Sequence, residues 1–429
     1  MTPSHVPKDF KVAIIGGGVC GLTCAIALAK QGVPVEIFEA TTKFREIGAG
    51  LGLGPNSIRV LRELGVWDDV HAASGESGMN MAVYRYTSGL GDNEVLYDLS
   101  VPSEDFGLGI ARYAFLDALL KYIDMSKVHF NKRCVDITHS TADPTVQILI
   151  FADGTRFEAN VVLGADGIKS SVRSIITGYS TDSQVAWSNT AAHRALISFQ
   201  ETRAAGMKID LSTGFRCFMG PGKHIVTFPI QGGRTINVVA FITHGPEPIG
   251  EARLPPGEPW VRPTSQQELL SVYDGWGPEV RALLSCVHKP SRWSICVVHP
   301  HLQSYVDGNV ALLGDAAHAM LTHLGGGAGQ CIEDAWVMAR LLGSHNTNRF
   351  NLQGVLRVYD ELRRPRSQAV WERSLRAGQV VEALGPSGFT KEGVQKDLTG
   401  IFDLLWHHEL EEDVKEGLRR VAQLHSFNS

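Results

Sequence analysis

Much of what marks other protein classes is missing from this chain. Its 429 residues contain no apolar run of about 18, the length a membrane-spanning helix needs. Residues 1–10 hold no apolar signal core. Both absences predict a cytoplasmic protein with no membrane partner. The formal net charge is −5 and no long basic run occurs, which argues against a nucleic-acid partner. The seven cysteines (Cys20, Cys24, Cys134, Cys217, Cys286, Cys296 and Cys331) are odd in number and scattered. That argues against a disulfide framework and for a reducing compartment. Cys20 and Cys24, one helical turn apart, read as small residues packing a helix on a sheet.

Reactive signatures are missing too. There is no G-x-S-x-G, no H-E-x-x-H and no C-x-x-C. His288, His299 and His301 lie near one another without the carboxylate–histidine spacing of a metal helix, so they read as loop histidines and no metal is expected. Internal repeats and low-complexity tracts are absent. Difficult chemistry then falls to a cofactor, with the protein supplying position and electrostatics.

What is present is a globular balance, 44% hydrophobic and 20% charged. The length exceeds what one core usually holds, so two or three intertwined units are expected. The informative pattern lies in the glycines. Residues 11–15 form a short apolar strand that runs into Gly16-Gly17-Gly18-Val19-Cys20-Gly21, a G-x-G-x-x-G. Residues 22–31 read as a helix, which Gly32 ends, and residues 33–38 read as a second strand with Glu39 at its end. This is the dinucleotide fingerprint in its strand–turn–helix context. Gly16 permits the tight turn, Gly18 the approach of a pyrophosphate, and Gly21 close packing of helix on strand. Glu39 can hold two ribose hydroxyls. The pattern alone does not choose between FAD and NAD.

A second glycine-rich stretch stands far along the chain. The apolar run 310–313 ends in Gly314-Asp315-Ala316-Ala317-His318, and Gly325-Gly326-Gly327-Ala328-Gly329-Gln330 opens a helix predicted over 327–342. Such a loop lets backbone approach a ligand, and the helix start offers free N–H groups and a positive dipole end. Asp315 is suited to accept hydrogen bonds from ligand hydroxyls.

Between these stretches, residues 48–54 carry a glycine at every second place, followed by a helix over 57–64. Residues 81–99 alternate loosely and read as strands. The helix over 111–120 begins at Arg112, a poor place for a cation unless an anion is near. Strands 146–151 and 156–163 form a hairpin that leads into Gly164-Ala165-Asp166-Gly167, with Ser170, Ser171 and Arg173 at a helix start. From 183 to about 286 the texture turns β-rich, with strands over 215–219, 224–230 and 235–243, and a helix over 266–284. Residues 292–298 read as returning the chain to its first unit, and Pro365 should kink or start a helix.

These stretches carry a resemblance. Residues 314–318, with the glycine segment and Glu333-Asp334-Ala335 after them, resemble the second flavin fingerprint of single-component (group A) FAD-dependent aromatic hydroxylases, most closely the salicylate-hydroxylase-like group. Residues 164–167 followed by serine and arginine resemble that family's third motif. Arg45 and Gly52 match a segment that lies along the cofactor there, Arg112 matches an arginine that contacts FAD, and the Tyr–Arg–Pro–Arg pattern around Tyr359 to Arg366 resembles the family's C-terminal helices. The likeness covers roughly residues 10–385. The chain has one complete G-x-G-x-x-G, where enzymes with a separate NAD(P)H domain usually show two.

The resemblance implies an α/β fold: a Rossmann-like FAD-binding domain with an inserted β-rich substrate domain and C-terminal helices. The expected boundaries are 1–185 and 286–345 for the FAD-binding domain, 186–285 for the substrate domain with strands near 80–106 joining it, and 346–429 for the helical segment. It implies FAD held by Gly16, Gly18, Gly21, Glu39, Arg45, Gly52, Arg112, Asp166, Asp315, Ala328 and Gly329. NADH or NADPH is the implied transient co-substrate, and O2 and a small aromatic substrate the partners. A flavin C4a-hydroperoxide then passes its distal oxygen to a phenolic or aminoaromatic acid of salicylate, 4-hydroxybenzoate or 4-aminobenzoate type, with decarboxylation as one subclass.

His323 is the leading catalytic residue on this reading, to orient substrate or act as a base. Salicylate-hydroxylase-like sequences read Pro-His-Gln-Gly at this loop, and here Thr322-His323-Leu324-Gly325 keeps only the histidine and the glycine. Arg194 matches an arginine that some members place in the substrate pocket, where it can hold a phenolate or carboxylate. Phe228 stands where several relatives have tyrosine. His224, Arg216 and Tyr84 are further pocket residues, each with a structural role as the plainer reading. A flavin oxidase or dehydrogenase without oxygen insertion, a dearomatising biosynthetic hydroxylase and a non-catalytic dinucleotide-binding protein stay open as alternatives. Monomer and homodimer are both compatible.

Overall fold

Strands that are apolar at every position belong inside a parallel sheet covered on both faces. Val12–Ile15 and Val161–Gly164 are buried at every position, and in the computed structural model they lie side by side in a six-stranded sheet. Residues 8–44, 50–75, 80–245, 247–254 and 257–426 are described. The sheet runs Val306–Asp307, Val310–Leu312, Val161–Gly164, Val12–Ile15, Val35–Phe38, Val128–His129. All its pairs are parallel except the first. Val12 and Ile14 pack into the cluster that holds the helices Val19–Lys30 and Gly327–Gly343, while Ala13 and Ile15 face Phe151 and Val172 on the other side.

The β-rich unit is an eight-stranded sheet in the order Val261–Pro263, Ser291–Val298, Val185–Ser198, Thr235–Thr243, Lys223–Ile230, Phe215–Gly220, Val83–Ser88, Val95–Ser100. One expectation fails here. Ser291–Val298 does not return to the first unit but pairs antiparallel with Val185–Ser198, because its alternating Ile295 and Val297 complete the core face of the large sheet. The glycine segment also proves regular, since Gly50–Leu53 pairs with Gly107–Ala111. The single helix expected over 266–284 is two, Gln266–Val272 and Pro278–Ser285. Gly275 at φ 78° and Pro278 in the first turn divide them.

Pro365 breaks nothing. It lies inside one helix of 30 residues, Leu352–Val381. The missing N–H removes one helical bond, to the carbonyl of Glu361, while buried Tyr359, Arg363 and Val370 hold the helix on both sides of the gap. Among the described residues, no helix is long and apolar enough to cross a membrane.

Candidate active site

In open α/β sheets, ligands bind beyond the carboxyl ends of the strands, where the strand order reverses. Four neighbouring strands end here in Glu39, Gly16, Asp166 and Asp315 or just before them. Ala165 N donates to Ile15 O at 2.8 Å and Leu313 N to Gly164 O at 2.9 Å, so the turns lie side by side. Gly16 has φ 107°, and a Cβ there would stand 2.4 Å from Ala165 O, which restricts the position to glycine. A Cβ at Gly21 would stand 1.9 Å from Gly16 O, the close helix–strand contact expected of it. Gly18 and Gly52 face open space. Glu39 accepts from Gly17 N and from Thr41 N, each at 2.8 Å, which fixes its carboxylate at the strand end.

The second glycine stretch faces the same edge. Asp315 is exposed between buried Gly314 and Ala316, and among the described residues its carboxylate takes no hydrogen bond. Among the described residues no side chain caps the helix Gly327–Gly343, which leaves its first N–H groups to a ligand. Ala328 is half-buried in that turn. Gly329 is buried, and a Cβ there would stand 2.9 Å from Asn56 Nδ2, so its α-carbon packs against the helix Pro55–Glu63. Only its backbone is left for a cofactor. Asp166 is also occupied differently from the expectation. It accepts from Ser170 Oγ at 2.5 Å, Ser171 N at 2.8 Å and Val172 N at 3.2 Å, capping the helix Ser171–Thr177. Fully buried Arg173 donates to Ile168 O at 2.6 Å and to Ala316 O at 2.9 Å, tying this turn to the Asp315 loop. Arg45 lies outside the described residues.

Behind the loops sits a buried charge cluster. Asp334 accepts from Gly314 N at 2.8 Å, His318 Nε2 at 2.6 Å and Arg363 Nε at 2.8 Å. Glu333 accepts from Arg363 at 2.8 Å and Asn56 at 2.7 Å, and pairs with Arg366. Burial opposes ionisation of both carboxyls, yet Arg363, with Arg366 on Glu333 and His318 on Asp334, outweighs it and holds both below the usual carboxylate range. Removing one partner from such a cluster strands a buried charge. The cluster therefore fixes the Gly314 turn to the glycine helix.

Period-two alternation builds the second half of the site. One face of the large sheet projects Tyr86, Cys217, His224 and Val226 into a narrow, largely apolar cavity. His323 and Leu324 border it from the loop, and Ala377, Val381 and Phe402 from the C-terminal helices. His323 meets His224 edge-on with ring centroids 5.0 Å apart, and its buried Nδ1 has no hydrogen-bond partner among the described residues. Burial, foremost, pushes the His323 pKa down to about 3. It is thus neutral at neutral pH, able to accept a hydrogen bond on one nitrogen and donate from the other.

Arg194 lies on the same sheet face but not in the cavity lining; its neighbour Val239 pairs with the lining residue Val226. Its guanidinium stacks over Trp293 at 4.8 Å, and burial together with the charge of Arg112 pushes its pKa down to about 10. Arg112 starts the helix Arg112–Leu120, as expected. Asn237, on that face too, accepts from Gly50 N at 2.9 Å and joins the sheet to the glycine strand. Arg216 takes the structural role that is its plainer reading. It projects from the opposite face and donates to Thr87 Oγ1 at 3.0 Å, because its neighbour Cys217 takes the cavity side. Tyr84 is packed against Phe215 and Phe402, at 4.9 Å and 5.2 Å between rings, and is structural. Sequence reasoning missed Glu382, which accepts from His224 Nδ1 at 3.0 Å, and the C-terminal wall; neither carries a local motif.

The open glycine backbone, the exposed Asp315 and the uncapped helix suit a flavin dinucleotide, with its pyrophosphate, hydroxyls and electron-poor ring. Comparison with known proteins agrees. A family model described as FAD binding domain matches residues 9–226 and 287–374. The chain is 36% identical to salicylate hydroxylase of Pseudomonas putida over 96% of this chain and 95% of that protein. It is 32% identical to 6-methylsalicylate 1-monooxygenase of Aspergillus terreus over 96% and 92%. A solved salicylate hydroxylase substrate complex superposes with a TM-score of 0.84 at 30% identity, covering 95% of this chain and 98% of that one.

Proposed function

The chain belongs to the salicylate-hydroxylase-like, FAD-dependent aromatic monooxygenases, and from that premise we propose the rest of its reaction. It uses NADH or NADPH and O2 to hydroxylate a phenolic or aminoaromatic acid, with decarboxylative hydroxylation of a salicylate-type substrate as the favoured form. The observation that carries this reading is the largely apolar pocket, which sets two imidazoles edge-on to each other and has Arg194 on the same sheet face. Names of two relatives, salicylate hydroxylase and 6-methylsalicylate 1-monooxygenase, favour an ortho-hydroxylated acid.

FAD, when bound, supplies hydride acceptance and oxygen activation. The chain's own residues hold and orient. Glu39 and Asp315 accept hydrogen bonds from cofactor hydroxyls, and Gly16, Gly18 and Gly21 admit the pyrophosphate. Gly52, Arg112, Asp166, Ala328 and Gly329 complete the cofactor's surroundings, Asp166 and Gly329 through the loops they shape. Arg194 holds the substrate carboxylate, since a desolvated guanidinium gains most from an anion. Neutral His323 orients the ring hydroxyl. Val226, Leu324, Val381 and Phe402 keep water away from the reacting ring. The substrate unit is best drawn as residues 186–298 with 83–100, which moves Ser291–Val298 out of the cofactor unit.

The test is a visible spectrum of the purified protein, then NADH and NADPH oxidation against a panel of hydroxy- and aminobenzoates, with H2O2 and products quantified. Substrate-stimulated oxidation with a hydroxylated product is expected. Oxidation that yields H2O2 alone with every panel member would overturn the substrate class and support the oxidase alternative.

A further inference from the structure

Glu382 occupies a place that disfavours a carboxylate. It follows the last residue of the 30-residue helix Leu352–Val381, at the negative end of its dipole, and is 4% exposed. Two side chains compensate: His224 Nδ1 at 3.0 Å, and Thr243. Burial opposes ionisation, but the hydrogen bond from His224, foremost, outweighs it and holds the carboxyl below its usual range. An ionised carboxylate only accepts, so the shared proton belongs to His224 Nδ1. In that tautomer the ring's lone pair lies on Nε2. That nitrogen is buried with no hydrogen-bond partner among the described residues, and the ring lines the cavity. Phe241 stacks on the ring at 4.4 Å with an interplanar angle of 9°, which fixes its plane. Carboxylate, stacking partner and cavity together fix where the lone pair is presented.

We infer that Glu382 is a positioning residue that sets the tautomer and direction of His224, whose Nε2 takes the proton of the substrate's ring hydroxyl. The inference rests on the aromatic-acid reading above. The substrate O–H bond breaks, an Nε2–H bond forms, and the electron pair stays on the phenolate oxygen. The imidazolium so formed lies between two anions, the Glu382 carboxylate and the phenolate, as in the serine-hydrolase triad logic. The phenolate ring is richer in electrons, which oxygen transfer needs. Other titratable groups around His224 are His323, Cys217, Tyr86 and Tyr273, whose hydroxyl donates to Phe241 O. Burial pushes the thiol and both phenols up, so they keep their protons, and pushes His323 down. Of the two cavity histidines, only His224 is hydrogen-bonded to a carboxylate.

The experiment uses the FAD-loaded full-length protein and 3,5-dinitrosalicylate, whose two nitro groups bring the phenol's ionisation near neutrality and whose phenol and phenolate differ in absorbance, titrated from about pH 5 to about pH 9. Bound to the wild type, the probe should ionise at least about tenfold more readily than when free, one pH unit lower. Glu382→Gln keeps the shape and removes the charge; it should raise the bound probe's apparent pKa by about one to three units, with the Kd of the un-ionised probe, read at the acid end, little changed. His224→Gln should remove the shift while the flavin spectrum is retained. A probe that titrates in the wild type as it does free, or identically in wild type and Glu382→Gln, overturns the inference. Should Glu382→Gln fail to fold, the wild-type titration and His224→Gln decide. No binding to wild type overturns the aromatic-acid reading itself, an outcome distinct from binding without a shift.

Discussion

At the carboxyl edge of the parallel sheet, turns offer backbone to a ligand, and glycine is required where chains touch, as at Gly16 and Gly21. In the cavity, side chains do the work, and they come from positions as distant as Tyr86, His224, His323 and Phe402. The first region depends on short contiguous stretches. The second depends on which face of a strand a residue takes and on which helices close over it. A cofactor edge of this kind can be shared among enzymes with different substrates, while the cavity changes with single side chains. This chain departs from its family's loop pattern at Thr322 and Leu324, beside the cavity, and keeps the glycines at the edge.

The comparison breaks first where the edge is held by side chains after all. Arg363 is fully buried and bonds Asp334, Glu333 and Gln330. Arg363→Ala should cost about 3–5 kcal/mol, because it removes the one cation that two buried carboxylates share. Thermal unfolding and flavin content of the purified protein measure it. A variant with unchanged Tm and full flavin would mean the glycine backbone suffices alone.

Asp315→Ala tests the edge from its ligand side. The residue is exposed and, among the described residues, its carboxylate takes no hydrogen bond, so the variant should fold yet lose its flavin. Circular dichroism separates the two effects. A protein that purifies yellow and active contradicts the assigned role.

His323→Ala moves to the cavity. It should retain FAD and lose product formation by about 10²-fold or more, with NAD(P)H oxidation diverted to H2O2. Unchanged coupled turnover removes His323 from the mechanism.

The two regions also differ in how far the sequence reveals them. Gly16, Glu39 and Asp315 were legible because each sits in a motif whose spacing its own strand and turn enforce. The fold class followed from the same stretches. Which face Arg216 takes was not legible, because a strand's parity is fixed by its partners, and one residue's slip moves a side chain to the other face. Ser291–Val298 was misplaced for a related reason: its pairing partner, Val185–Ser198, lies about a hundred residues earlier. Glu382 had no signal at all, since its meaning comes from His224, far along the chain and on another element. Pro365 shows the limit of a local rule, because tertiary packing carries the helix through it.

The smallest effect probes how dry the cavity is. His323 has a folded pKa of about 3, against an ordinary value of about 6.5 in the unfolded chain. Between those values the unfolded state binds more protons, so stability is full above about pH 6.5 and falls as pH drops toward 3. Glu333, Asp334 and Glu382, held low in the fold, lose their contribution only below the usual carboxylate range of about pH 4. Urea unfolding at pH 7, 6 and 5 thus isolates the imidazole. His323→Gln removes the titration, and other histidines cancel in the difference. From pH 7 to pH 5 the wild type should lose at most about 2 kcal/mol relative to the variant, less to the extent that the ring's partly open surface admits water. A constant difference would mean that His323 protonates freely in the folded protein. The cavity would then be wet, and the contrast between a solvated cofactor edge and a water-excluding substrate chamber would fail.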